Sequence, residues 1–181
     1  MKTIQMLLLL SGIMFIASCA VKVKTVSDQR ASFDQYEKFC WFTGCEFTID
    51  GPDYIKKDSA TVESFKQAIT DELKRKGYVY DENNPDFLLY MQILVKEEET
   101  MISTPYDEDN WVLEAFDQLE GQPYVYLKGS MIIDIADAEE SAMVWRSNAV
   151  RYMDLNPDMT EGNIKKGVKQ ALRKFPNKST R

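Results

Sequence analysis

The side chains of this sequence whose type and spacing suit chemistry are three cysteines and a cluster of acids; histidine is absent. Without histidine, Ser-His-Asp and Cys-His nucleophilic catalysis fall away, and zinc loses its commonest ligand. Carboxylate-only chemistry survives, as in glycoside hydrolysis, but it needs two acids facing one another in a cleft. Cys40 and Cys45, in Cys40-Trp41-Phe42-Thr43-Gly44-Cys45, lack the Cys-x-x-Cys spacing of a redox pair. In an exported chain they read first as a disulfide, whose short loop contributes about 2 kcal/mol by chain entropy. Two reduced, partly buried thiols are the other reading, because tight loops often misalign the Cβ vectors.

Residues 97–120 carry nine acids and no base. Tyr106, Asp107, Asp109 and Trp111 are the candidate partner-binding residues of this stretch, since aromatics beside carboxylates stack on sugar rings or anchor a protein. Asp107-Glu108-Asp109-Asn110 lacks the Gly and the distal Glu of a calcium loop, so neither metal nor cofactor is expected. A solvated acidic loop with packing aromatics is the plainer alternative.

The third cysteine stands at the end of a leader. Lys2 supplies a positive start, and Leu7 opens an apolar stretch to Ala17 that is shorter than the roughly 20 residues of a membrane span. Ile16-Ala17-Ser18-Cys19 then resembles the lipobox of lipoprotein precursors, with Ile16 where Leu is most usual. Residues 1–18 are therefore expected to be a lipoprotein signal peptide, and Cys19 the lipidated first residue of the mature chain. Ordinary secretion, with cleavage after Ala20, is the alternative. Each buried methylene contributes about 0.8 kcal/mol, so two or three acyl chains hold a protein at a membrane where one does not. No Asp follows Cys19 as an inner-membrane retention signal, and no acidic tract follows it either. The expected location is the periplasmic face of the outer membrane.

Removal of residues 1–18 leaves 21 basic and 29 acidic residues, a charge of −8. That balance argues against nucleic acid, whose phosphates need clustered Lys and Arg. It equally argues against electrostatic adhesion to anionic headgroups, which leaves membrane attachment to the lipid on Cys19. With 44% hydrophobic and 12% aromatic residues, the rest is the size of one packed domain.

The elements that must position these residues are legible in the periodicity. Residues 19–31 read as a lipidated tether, and 32–177 as a single domain with 97–120 as an acidic insertion and 178–181 as a tail. The aromatic run Phe33 to Phe42 reads as a strand turning at Gly44, with a short second stretch at Glu46 to Ile49. Val62, Phe65, Ile69 and Leu73 define a helix capped by Asp58 or Ser59 and stopped by Gly77. Asp86 to Val95 reads as a central strand buried on both faces at its start. Tyr124 to Ile135 and Ala142 to Met153 read as a hairpin, in which Trp145 is core and Arg146 pairs with Asp134 or Asp137. Ile164, Val168, Leu172 and Phe175 form a closing helix ended by Pro176. The expected fold is α+β, a two-layer sandwich of an antiparallel sheet of about four strands with two helices on one face, in the order β-α-β-β-β-α.

Three stretches carry a family likeness: Phe33 with Tyr36-Glu37-Lys38-Phe39; Gly77-Tyr78 with Asp86-Phe87-Leu88-Leu89-Tyr90; and Gly129 to Asp137 with Val144-Trp145-Arg146-Ser147-Asn148-Ala149. On these the chain resembles the bacterial lipoproteins of domain-of-unknown-function family 4136, from which residues 97–120 depart in length and acidity. The resemblance implies location and fold, not mechanism. The function expected is a lipid-anchored, non-enzymatic binding or assembly module of the outer membrane, with a protein or envelope component as partner. A carboxylate-dependent hydrolase of envelope glycans is the alternative.

Overall fold

The computed structural model of the chain describes residues 21–101, 123–153 and 155–178. The elements are β1 (Lys22–Ser27), a 3-10 turn (Phe33–Gln35), β2 (Lys38–Trp41), β3 (Ile49–Asp50), α1 (Asp53–Lys56), α2 (Ser59–Arg75), β4 (Val79–Tyr80), β5 (Phe87–Met101), β6 (Pro123–Asp137), β7 (Met143–Met153) and α3 (Glu161–Ala171). The strands form one sheet in the order β1-β7-β6-β5-β2-β4, with β3 also pairing on β5. Neighbours from β1 to β5 are antiparallel, whereas β2 and β3 run parallel to β5 and β4 runs parallel to β2.

The expected antiparallel sheet of about four strands with two helices is therefore wrong: among the described residues the sheet is mixed and seven-stranded, with three α-helices. The reasons are physical. Residues 22–27, read as tether, pair with β7 as an edge strand whose Val23 and Thr25 are half-buried while Lys22, Lys24 and Val26 are exposed. β3 and β4 are two residues long and too short to show a period. The parallel pairing arises because α1 and α2 lie between β3 and β4, and a crossover of that length returns the chain in the same direction.

Side chains alternate across a strand, so register decides which reach the helices. Phe87, Leu89, Met91 and Ile93 of β5 share one face with Ile133 and Ile135 of β6 and with Trp145, Ser147 and Ala149 of β7. Phe65, Ile69 and Leu73 of α2 and Ile164, Val168 and Ala171 of α3 cover that face, and all of these residues are buried. The Ser147 hydroxyl, fully buried, donates to the Ala171 carbonyl at 2.8 Å and so satisfies one of the carbonyls left open at the end of α3. α2 starts as its sequence predicts: the Asp58 carboxylate accepts from Ala60 N at 3.1 Å and from the Thr61 hydroxyl at 2.7 Å. It ends at Gly77, whose φ of 94° allows Tyr78 N to donate to Leu73 O and Gly77 N to donate to Lys74 O.

Candidate functional site

The second face of the sheet carries no helix among the described residues. Alternation puts there Leu88, Tyr90, Gln92 and Leu94 of β5, opposite Ala136, Asp134, Ile132 and Ser130 of β6. Arg146, Asn148 and Val150 of β7 continue the same rows, and Val26 of β1 lies beside Arg146. Apolar side chains stand out into solvent: Val26 is 64% exposed, Phe42 and Tyr152 57%, Leu94 49% and Met143 47%.

Two fixed polar clusters hold this surface in shape. Arg146 donates twice to Asp134, Nε to Oδ1 and Nη2 to Oδ2, each at 2.6 Å. Asp50 accepts from the Tyr90 hydroxyl at 3.1 Å and from Gln92 Nε2 at 2.8 Å. Burial first, and then the Asp50 carboxylate, push the Tyr90 phenol above its ordinary range. Phe42 packs edge-on to Tyr90 with centroids 6.1 Å apart. Phe42, Leu88, Tyr90 and Met143 border a shallow depression of about 310 Å³ with Arg146 and Asp134 on its floor. Farther along, Tyr126 and Tyr152 meet edge to face at 5.5 Å, and Lys128 Nζ sits 3.0 Å from Glu98 and 5.8 Å above the Tyr152 ring. Val26, Phe42 and Met143 lie beside the fixed Arg146–Asp134 pair, whereas Leu94 and Tyr152 lie four and six residues along their strands from its row. Exposed aromatic and aliphatic groups of this kind are what interfaces use as anchors.

Acid–base chemistry finds less to work with. Asp86 and Asp137 do border one cleft, of about 670 Å³. Asp86 Oδ2, however, accepts from Glu37 N and Lys38 N, both at 2.8 Å. Asp137 accepts from Glu139 N at 2.8 Å, from Glu140 N at 2.7 Å and from the Tyr36 hydroxyl at 2.8 Å. The Glu140 amide, followed by the Tyr36 hydroxyl, holds the Asp137 carboxyl below its ordinary range, whereas a general acid at neutral pH needs the reverse. Among the described residues, no three Cys, Asp or Glu side chains converge to hold a metal ion.

The residues picked out by sequence fare unevenly. Cys40 and Cys45 are disulfide-bonded with Cα atoms 5.2 Å apart. The turn between them is possible because Gly44 and Cys45 both take positive φ, 57° and 62°. Trp145 is buried core, and Arg146 selects Asp134. Cys19 and the candidate binding residues Tyr106, Asp107, Asp109 and Trp111 lie outside the described residues. The exposure of Val26, Phe42, Leu94, Met143 and Tyr152 on one face is not legible in the sequence. Its only signal was that β5 is apolar at consecutive positions, which reads equally well as a strand covered on both sides.

Three solved structures share the fold. A PDZ domain protein from Parabacteroides distasonis aligns with a TM-score of 0.54 at 13% identity over 88% of this chain, which spans only 36% of that protein. The PelC dodecamer from Paraburkholderia phytofirmans gives 0.51 at 9% identity over 89% of this chain and 100% of that one. A DUF4136 family protein from Bacteroides thetaiotaomicron gives 0.51 at 17% identity over 87% and 98%. No curated protein sequence matches significantly. The profile of the family described as domain of unknown function (DUF4136) matches residues 23–177, and the chain belongs to that family.

Proposed function

We propose that this protein is a lipid-anchored envelope protein that acts as a non-enzymatic binding or assembly module, docking a protein partner on the open face of its sheet. The observation that carries the reading is a set of exposed apolar side chains, Val26, Phe42, Leu94, Met143 and Tyr152, on a face that no helix covers among the described residues. Isolated exposed apolar residues are ordinary, but several on one uncovered sheet face, with Val26, Phe42 and Met143 beside a rigid ion pair, support an interaction site. The lipid on Cys19 supplies the membrane attachment, a reading supported by the lipobox-like Ile16-Ala17-Ser18-Cys19. The Cys40–Cys45 disulfide suits an oxidising compartment such as the periplasm. With no retention Asp after Cys19, the outer membrane is the proposed site.

The test places a photoreactive phenylalanine at Tyr152, on the open face, and at Val79, exposed on β4 at the far edge of the sheet, in cells making the full chain. Irradiation of intact envelopes is expected to give a discrete protein adduct from position 152 that Leu94→Asp abolishes, and none from position 79. Equal adducts from both positions, or none from 152, reject the docking face.

A further inference from the structure

A cavity of about 140 Å³ lies on the helix side of the sheet, away from the open face, between the three helices and the strands beneath them. Its floor is built by register: Ile93, Met131 and Ala149 stand side by side across β5, β6 and β7. Ile55 of α1, Phe65 of α2 and Ile164 of α3 close over them. The volume is close to the roughly 150 Å³ of an apolar cavity that accepts a benzene ring, so it takes about six carbons.

Two glycines border this space, and methionines let it adapt. Gly167 stands inside α3, where glycine lowers helix stability, and a Cβ there would come 3.7 Å from Met131 Cε. Gly129 lies inside β6, and a Cβ there would stand 2.5 Å from Met153 Cε. A larger side chain at either place would take room that Met131 and Met153 now share with the cavity. With Met159, which precedes α3, these unbranched thioethers rearrange readily around a guest.

The polar part of the lining has a charge preference. It comprises Ser130, Arg151, Asp158, Asn163, Lys166 and Gln170. Asp158 is the single acid of the lining, and its carboxylate is already engaged: Oδ1 accepts from Thr160 N at 3.0 Å and Oδ2 from Asn163 Nδ2 at 2.9 Å. Arg151, half-buried, and Lys166, exposed, take part in none of the ion pairs among the described residues. The lining therefore sets two cations against one engaged acid, in a chain whose net charge is −7. A lysine stem covers apolar surface while its ammonium stays in water, which puts the Lys166 charge at the mouth. Two cations beside an apolar chamber fit a guest with a short hydrocarbon run and one anionic head.

We infer that this cavity binds a straight-chain amphiphile with a carboxylate or phosphate head. Its terminal carbons lie between α3 and the sheet, and its head meets Lys166 and Arg151. The site is separate from the docking face and does not depend on it.

The test uses the full chain in maltoside micelles, with carbon-13 in the methionine methyl groups, read by NMR. Sodium octanoate, octyl phosphate and octanol are the probes: one chain length, with two anionic heads and one neutral head. A charged probe is expected to shift the Met131, Met153 and Met159 signals saturably and to leave Met143, exposed outside the cavity, in place. The tighter of the two charged probes identifies the head. Octanol is expected to bind about tenfold more weakly. Lys166→Gln weakens the charged probe about fivefold, as loss of an exposed charge contact does, and leaves octanol unchanged. Gly167→Leu keeps a good helix former in α3, fills the cavity and abolishes the shifts. No saturable shift, octanol binding as tightly as the charged probes, Met143 moving with the cavity methionines, or shifts that survive Gly167→Leu each overturn the inference. Should Gly167→Leu fail to fold, Lys166→Gln decides alone, and an unaltered affinity for the charged probe overturns it.

Discussion

Arg146 and Asp134 face one another directly across β6 and β7 and share two parallel hydrogen bonds of 2.6 Å. Sequence alone left Asp134 and Asp137 as equal candidates for this arginine. Register decides: Asp134 is the cross-strand partner, and Asp137 is already taken by Tyr36 and by the turn that follows it. The Arg146 side chain remains 47% exposed, so the pair shapes a surface more than it stabilises a core. Arg146→Ala is expected to cost under about 1 kcal/mol in urea denaturation, as exposed pairs do. The same variant is expected to lower the yield of the partner adduct from position 152 several-fold. A large loss of stability with unchanged adduct would make the pair structural and not part of a docking surface.

The Cys40–Cys45 bridge closes a loop from buried Cys40 at the end of β2 to a turn whose Cys45 carbonyl accepts from the Tyr80 hydroxyl at 2.9 Å. Alkylation of the native protein without reduction is expected to add no label at either position. By the chain-entropy argument, replacing both cysteines with serine lowers the unfolding free energy by about 2 kcal/mol. Quantitative alkylation of the untreated protein would rule the bridge out.

What was legible in the sequence divides by the range of the forces involved. Asp58 and Gly77 act within one helical turn, and the phases of Val62-Phe65-Ile69-Leu73 and of Ile164-Val168-Leu172 report burial of one side, which makes α2 and α3 legible. Pro176 is not the stop it reads as, because α3 ends at Ala171 and Phe175 packs into the core from beyond it. The long strands β5, β6 and β7 were read from composition and alternation. The missed strands depend on distant partners. Lys22–Ser27 is polar enough to be a tether until β7 offers it an edge, and Val79–Tyr80 becomes a strand only because Glu37 and Phe39 lend it carbonyls. The open face was missed for a related reason. Leu88 and Leu94 look the same in sequence whether or not a layer covers them.

The C-terminal segment is clamped to the end of α2, and this predicts an alkaline transition. Lys76, buried, donates from Nζ to the Phe175 carbonyl at 2.7 Å and to Asn177 Oδ1 at 3.1 Å, and the Tyr78 hydroxyl donates to the Pro176 carbonyl at 3.2 Å. Burial pushes the Tyr78 phenol up to about 12 and pulls the Lys76 amine below its ordinary 10.5. For Tyr78 the folded state binds the proton more tightly, so its contribution is complete below pH 10 and is lost as pH rises toward 12. For Lys76 the unfolded state binds it more tightly, so stability rises with pH up to 10.5. Tyr78→Phe is expected to cost about 1 kcal/mol at pH 7 through the lost hydrogen bond. It is also expected to flatten the fall in thermal midpoint between pH 10 and 12. An unchanged alkaline slope would place the titrating group elsewhere.

The acid side is governed in part by Asp137, which ties the turn after β6 to the 3-10 segment near the N-terminus. Three donors converge on its carboxylate: Glu139 N, Glu140 N and the Tyr36 hydroxyl. Together they favour the charged form, and the Glu140 amide is the largest cause of its lowered pKa. The folded state therefore releases this proton more readily than the unfolded chain does. Stability from Asp137 is fully present above its unfolded value of 3.8 and is lost as pH falls through the lower folded value. Asp137→Asn keeps the shape and one acceptor but removes the charge. It is expected to cost about 2 kcal/mol at pH 7, the range for hydrogen bonds to a charged group. The difference from the parent should shrink toward zero as pH drops below the folded value, because the protonated parent then resembles the amide. Urea titrations of both proteins across that range measure the difference directly, and a gap that stays constant with pH would mean that the charge on Asp137 contributes nothing.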